Sequence, residues 1–309
     1  MQISMAGIRG PLLVLTGALC FSTSGFLQAL APEGATPYVV AGCRMLLGAF
    51  SLYLFLKWRR VGISFRGWSW RYILIYALAL WLYQISFFNS VLLVGVAVGT
   101  VVSIGVTPFF CGIIYALQEK KLPGKAWVVS TVIAVIGLVL VNSMESANFE
   151  VEDVLLPILA GACYSVEISV SKHLTEKHSA EEAMMIITGI AGVGLLPFFA
   201  FFPVQWVFTL HGLAIAIALG VMTCALAFTF TVEGLKTTSA PVGATLALAE
   251  PLGAALLGIL ALNEPATCKT ILGIGLMLTS VFVLVIDQMK SDSKICIAPL
   301  DSGQSVTPN

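Results

Sequence analysis

Three ionisable residues stand inside long apolar stretches of this 309-residue sequence: Arg44, Glu167 and Glu250. A charge at membrane depth costs about 2.5 to 3.5 kcal/mol on insertion scales, so such residues mark function or a structural pairing. The planar fork of Arg44 suits a carboxylate ligand, and it suits equally an acid or helix-end carbonyls on a neighbouring helix. Glu167 has Tyr164 and Ser171 on its own helical face, at spacings of three and four. A carboxylate beside an aromatic ring suits an ammonium group, and a carboxyl group withdrawn from water suits proton coupling. The structural alternatives are a protonated acid or a pair with Arg44. Glu250 precedes Pro251, which removes the donor that would bond the carbonyl of Ala247. Such a kink can open carbonyls to a cavity. Glu250 is then a proton or substrate site, or the group that satisfies the kinked backbone. Pro108 repeats the kink earlier in the chain, with Thr107 in the place of Glu250.

Aromatic and small polar residues cluster in the same stretches. Trp81, Gln84 and Phe88 fall on one helical face, with Tyr83 and Phe87 beside it. A buried Gln needs a partner, and a ligand is one choice; helix packing is the commoner use of such aromatics. Phe228 and Phe230, with Thr229 and Thr231, form a weaker set of the same kind. Ser22, Thr23 and Ser24, and the pair Gly95 and Gly99, favour close helix contact first and a cavity lining second. His173 and His178 lie in a short polar connection. The seven cysteines show no metal-ligand spacing and read as small buried hydrophobes. No metal and no cofactor is expected.

The elements that must hold these residues are membrane helices. Apolar residues make up 58% of the chain and charged residues 10%, against roughly 25% charged in a soluble domain. That balance argues against a soluble enzyme, a disordered chain or a nucleic-acid binder. A span needs about 20 apolar residues. Ten apolar runs can be marked, near 11–31, 37–57, 72–91, 95–117, 126–143, 153–172, 183–203, 211–232, 239–262 and 270–288. The first ends in Ala29-Leu30-Ala31, which resembles a cleavage site, but its length and the following Pro32 point to an uncleaved span.

Lys and Arg collect on cytoplasmic loops. The even-numbered connections and both tails carry 14 of the 16 basic residues; the odd-numbered connections carry only Lys269, and Arg44 lies in a span. Both termini are therefore expected in the cytoplasm. The run from Lys57 to Arg71, with Trp58, Phe65, Trp68 and Trp70, reads as an interfacial anchor on anionic lipid. Glu145, Glu150, Glu152 and Asp153 mark the fifth connection as external.

That connection splits the chain into five spans and five. With an odd number in each half, the second must insert upside down, the arrangement of inverted repeats in secondary transporters. The expected organisation is a cytoplasmic tail 1–10, a first repeat 11–143, an external hinge 144–152, a second repeat 153–288 and a disordered cytoplasmic tail 289–309. A sequence echo agrees. Gly95-Val-Ala-Val-Gly-Thr100 is followed by Pro108 and Glu119; Ala240-Pro-Val-Gly-Ala-Thr245 is followed by Pro251 and Glu264.

Thr245-Leu-Ala-Leu-Ala-Glu-Pro-Leu-Gly-Ala-Ala-Leu-Leu-Gly258 with Asn263-Glu264-Pro265 resembles the second-repeat signature of EamA-type members of the drug/metabolite transporter superfamily. So do Tyr83-Gln84-Ile-Ser-Phe87-Phe88 with Gly95 to Thr100, and Pro37 followed by Arg44. The likeness spans about residues 10 to 288. It implies an all-α membrane protein of ten helices in two inverted five-helix repeats around a central cavity. It also implies transport of small metabolites, often amino acids or amines and often outward. Two positions depart from the pattern. Arg44 has no basic counterpart near Ile186, and Glu167 stands where a tyrosine or other neutral residue is expected.

The leading expectation is a secondary active transporter in a bacterial inner (plasma) membrane. Its partners would be a small-molecule substrate, membrane lipids, and protons or another coupling ion, with no nucleic acid. The residues expected to bind substrate or couple it are Arg44, Trp81, Gln84, Tyr164, Glu167, Phe228 and Glu250; Pro108 and Pro251 are expected to kink or gate. Hydrophobic or quaternary-ammonium cations are the alternative cargo, held by Glu167 and aromatics with Arg44 structural. An intramembrane enzyme would need a nucleophile–base set or metal cluster, and no His-Glu-x-x-His or Gly-x-Ser-x-Gly pattern is present. A channel is the remaining alternative. Oligomeric state is not encoded in any of these features.

Overall fold

The computed structural model describes residues 5–62, 67–142, 151–262 and 265–297. Arg66, Glu145, Glu150 and Glu264, most of the expected hinge and the end of the tail lie outside the described residues. The described chain is all helix apart from short connections. Its α-helices are α1 (Met5–Ala29), α2 (Pro37–Trp58), α3 (Trp70–Glu119), α4 (Lys125–Val141), α5 (Leu155–Leu174), α6 (Ala180–Leu195), α7 (Leu210–Leu219), α8 (Ala227–Gly234), α9 (Ala240–Leu246), α10 (Ala249–Ala261) and α11 (Cys268–Ile297). Among the described residues, eight helical segments are long and apolar enough to cross a membrane, and α4 is a shorter apolar helix of 17 residues. The chain is an integral membrane protein.

Local chemistry sets the interruptions. The 50-residue α3 is broken at Gly95, whose φ of 81° and ψ of 164° are far from helical and are tolerated because it has no Cβ. The break falls at the first residue of the fourth expected span. Between α7 and α8 the chain winds as a π-helix over Gly220–Leu226. The ninth expected run divides into α9 and α10 just before Pro251. The Ala247 carbonyl, which Pro251 cannot serve, accepts instead from the Glu250 backbone N–H at 2.9 Å. The kink is thus satisfied by the backbone of Glu250 rather than its carboxyl group. Helix α6 opens with a capping box: Ser179 Oγ accepts from the Glu182 N–H at 3.2 Å and Glu182 Oε2 from the Ser179 N–H at 3.0 Å.

Two expected boundaries are corrected. Helix α1 starts at Met5, inside the expected tail. Helix α11 continues to Ile297, so residues 289–297 are helical where disorder was expected. That segment contains no Pro or Gly to stop a helix, and the next proline is Pro299.

Helices pair closely: α4 on α11, α2 on α6 and on the π-helix, α1 on α8 and α10, and α3 on α5. Glycines bring the backbones together. A Cβ at Gly137 would lie 2.8 Å from the Gly273 carbonyl oxygen, and one at Gly273 would lie 2.6 Å from that of Gly137. The contact is reciprocal, and its neighbours, Val141 and Met277, each lie four residues further along their helices.

Candidate functional site

The helix pairs leave a cavity of about 810 Å³ between them. Arg44 on α2, Gln84 on α3, Glu167 on α5 and Glu250 on α10 all face it, with Tyr83, Tyr164 and Phe228. Gln28, Pro37, Asn142 and Thr267 line its other end, where the chain enters or leaves the connections 30–36, 143–154 and 262–267. At the opposite ends of the helices, neighbouring helices touch directly. There Trp127 Nε1 donates to the Pro241 carbonyl at 2.9 Å, Thr131 and Thr245 hydroxyls bond at 2.8 Å, and Gly10 meets Gly234.

Arg44 and Gln84 form the polar centre. Arg44 Nη2 donates to Gln84 Oε1 at 2.9 Å, and Nη1 lies 3.5 Å from Thr223 Oγ1 in the π-helix. Thr223 donates its own proton to the Leu219 carbonyl at 2.7 Å, which leaves its oxygen to accept. Since Gln84 Oε1 accepts, its Nε2 is a donor. Arg44 Nε and Gln84 Nε2 are both buried and have no hydrogen-bond partner. Among the described residues, no carboxylate lies within ion-pair distance of Arg44. The ion pairs there are Arg59 with Glu181, His173 with Glu176 and Lys236 with Glu233.

Glu167 is 1% exposed, and its Oε1 has no partner. Ser171, on the same helical face, donates to the Glu167 backbone carbonyl at 2.7 Å and leaves the carboxyl group alone. Aromatic rings line the same cavity: Tyr83 stacks on Phe87 with centroids 5.6 Å apart and lies 5.7 Å from the Tyr164 ring, and Phe21 meets Phe228 edge-on at 4.9 Å. The arrangement offers unpartnered donors at Arg44 and Gln84, unpartnered acceptors at Glu167, and an aromatic wall.

Of the residues singled out from sequence, the structure brings Arg44, Gln84, Tyr164, Glu167, Phe228, Glu250 and Pro251 to this one cavity. Trp81 is not among them. Its indole Nε1 donates to the Gly194 carbonyl of α6 at 3.0 Å, because the helical face it shares with Gln84 is divided between a neighbouring helix and the cavity. Pro108 is buried beside the α3–α5 contact, where Thr107 Oγ1 donates to the Ser103 carbonyl at 2.8 Å and lies 3.3 Å from that of Gly161. Thr223 and the mouth residue Asn142 carried no sequence signal. Ser22 and Ser24 line the cavity although their first reading was packing; Ser22 does both, since a Cβ at Gly253 would lie 2.6 Å from its Oγ. His173 and His178 lie elsewhere, stacked on Tyr72 and Trp68 with centroids 4.4 and 3.6 Å apart.

Apolar helices around a cavity lined by charged side chains define a polytopic membrane protein with an internal cavity. The EamA-like transporter family matches residues 8–143 and again residues 153–286, and the chain belongs to that family. The uncharacterized transporter YwfM of Bacillus subtilis is 33% identical over 282 residues, 91% of this chain and 95% of that protein. An uncharacterized transporter of Archaeoglobus fulgidus is 28% identical over 174 residues, 55% of this chain and 62% of its own length. A solved crystal structure superposes with a TM-score of 0.79 at 18% identity, over 92% of this chain and 98% of that one, which shows the shared fold. The protein is a membrane transporter rather than an enzyme.

Proposed function

We propose that the protein is a secondary active transporter that moves small amine-bearing metabolites, amino acids or amines, outward across a bacterial inner membrane by alternating access. The observation that carries this reading is the cavity itself. It buries Arg44 and Glu167, with Arg44 Nε and Glu167 Oε1 unpartnered, and has half-buried Glu250 on its wall. Buried polar groups are ordinarily hydrogen-bonded. Groups left open in a chamber are supplied by what enters it.

The reading takes ten spans in two inverted repeats, 11–143 and 153–288, joined by an external hinge at 144–152, with both termini cytoplasmic. The break of α3 at Gly95, the division of α9 from α10 and the two family matches support it. So does the reciprocal contact of Gly137 with Gly273, the pattern a two-fold relation generates. In that frame the mouth of the cavity faces outward and the Trp127–Pro241 and Thr131–Thr245 bonds close the cytoplasmic side. Protons or another ion drive the cycle, with Glu167 and Glu250 as carriers.

The aromatic wall of Tyr83, Phe87 and Tyr164 supports a second reading, a hydrophobic or quaternary cation held by Glu167 with Arg44 structural. Proteoliposomes containing the purified protein, offered radiolabelled leucine, lysine and choline, separate the two. Accumulation of an amino acid over protein-free vesicles supports the first, accumulation of choline alone the second, and no accumulation of any probe contradicts both.

A further inference from the structure

The charges in the cavity do not balance. Among the described residues that line it, Arg44 is basic and Glu167 and Glu250 are acidic. The three line one cavity together with Tyr83. No protein cation pairs with either acid, since the ion pairs among the described residues lie elsewhere. Around Arg44 the nearest partners are neutral, Gln84 and Thr223. A carboxylate that stays charged out of water, as at Glu167, needs an opposite charge beside it or takes up a proton, and half-buried Glu250 has no cation within ion-pair distance.

The anionic end of a ligand has a defined seat. Arg44 Nε and Gln84 Nε2 are two buried donors without partners on side chains already bonded to each other. A carboxylate with two oxygens accepts from both. A cationic end has its seat at the unpartnered Oε1 of Glu167, beside the Tyr164 ring. A zwitterion fills those two seats and leaves Glu250 without a cation. Glu250 stands in the first turn of α10, on the wall of the cavity. A ligand with one carboxylate and two cationic groups satisfies all three side chains.

We infer that the cavity selects a diamino monocarboxylic acid, with one carboxylate and two ammonium or guanidinium groups, over a zwitterionic amino acid of the same length. This rests on the proposal that the cavity is the seat of amine-bearing cargo. The carboxylate sits on Arg44 and Gln84, one cation on Glu167, and the second on Glu250, with Tyr83 lining the same cavity. Cation–π attraction at Tyr83 and Tyr164 adds to both cationic seats.

The test uses the full-length protein in lipid nanodiscs and the probes lysine, norleucine and cadaverine. Norleucine lacks the second ammonium group of lysine, and cadaverine lacks its carboxylate. Binding is read by thermal shift over a concentration series. Lysine is expected to bind at least about tenfold more tightly than either, a difference of about 1.4 kcal/mol or more. Glu250→Gln is expected to bring the lysine-to-norleucine ratio to about one, and Arg44→Gln the lysine-to-cadaverine ratio. Wild-type norleucine binding as tightly as lysine overturns the inference and leaves the proposed function standing. So does cadaverine binding as tightly as lysine. A folded protein that binds none of the three overturns the amine-cargo reading as well. The wild-type comparison decides the matter even if a variant fails to fold.

Discussion

Arg44 on α2 and Gln84 on α3 share a single hydrogen bond of 2.9 Å, and forming it leaves Arg44 Nε and Gln84 Nε2 as adjacent buried donors with nothing to bond. The relationship makes Gln84 a positioning residue for Arg44 as well as a donor in its own right. Gln84→Leu removes the stronger of the two neutral partners of the guanidinium, at a cost of about 1.5 to 3 kcal/mol. The melting temperature should fall steeply. Gln84→Glu keeps an acceptor for Nη2 and should restore much of the melting temperature, yet it occupies Arg44 with a fixed carboxylate, so transport should stay lost. Transport recovered in Gln84→Glu contradicts the anion seat.

Trp81 marks the boundary of the site. Its indole spans from α3 to the Gly194 carbonyl of α6 rather than entering the cavity. Trp81→Phe should cost about 1 kcal/mol through the lost hydrogen bond. It should leave the relative affinities for lysine, norleucine and cadaverine unchanged. A change in that ranking would place Trp81 in the binding chamber.

Gly137 and Gly273 let α4 and α11 touch backbone to backbone. Gly137→Val and Gly273→Val should each lower the melting temperature, by an overpacking cost of about 1 to 3 kcal/mol. Because the contact is reciprocal, the double variant should lose less than the two losses added together. Gly275→Ala is the control: a Cβ there meets nothing within 4 Å, and its melting temperature should not fall.

The orientation makes a prediction of its own. In a cysteine-free background, a cysteine at Thr267 should react with a membrane-impermeant thiol reagent applied outside the cell. A cysteine at Lys236 should react only after the membrane is opened. The reverse pattern contradicts cytoplasmic termini.

Much of this was legible in the sequence because membrane insertion writes itself into composition. Apolar runs mark helices and Pro251 marks a kink; Gly95, read from sequence as a packing residue, instead breaks α3. Charges inside runs have few places to go but a cavity. Arg44, Glu167 and Glu250 were found on that ground alone. What the sequence hides is which neighbour each face meets. Helical periodicity puts Trp81 with Gln84, yet α6 takes one and the cavity the other. Thr223 touches Arg44 only because the chain winds as a π-helix over Gly220–Leu226, a register that a regular helical wheel does not describe. Ser171 shares the face of Glu167, but its hydroxyl turns to the backbone, as Ser does readily in helices. The run 289–297 looks disordered by polarity alone, while the absence of Gly and Pro lets α11 continue through it.

The account turns on the Glu167 carboxyl group as the seat of a cationic cargo group. The most direct measurement is the initial rate of radiolabelled lysine uptake by proteoliposomes preloaded with unlabelled lysine, for the wild type and for Glu167→Gln at equal protein content. Wild-type vesicles should exceed protein-free vesicles. Glu167→Gln should lose at least about tenfold of that rate, the order of effect expected when a buried charged partner is removed. Its melting temperature should hold, because the substitution removes a buried charge that has no protein partner at Oε1. Uptake by Glu167→Gln at the wild-type rate would contradict the account.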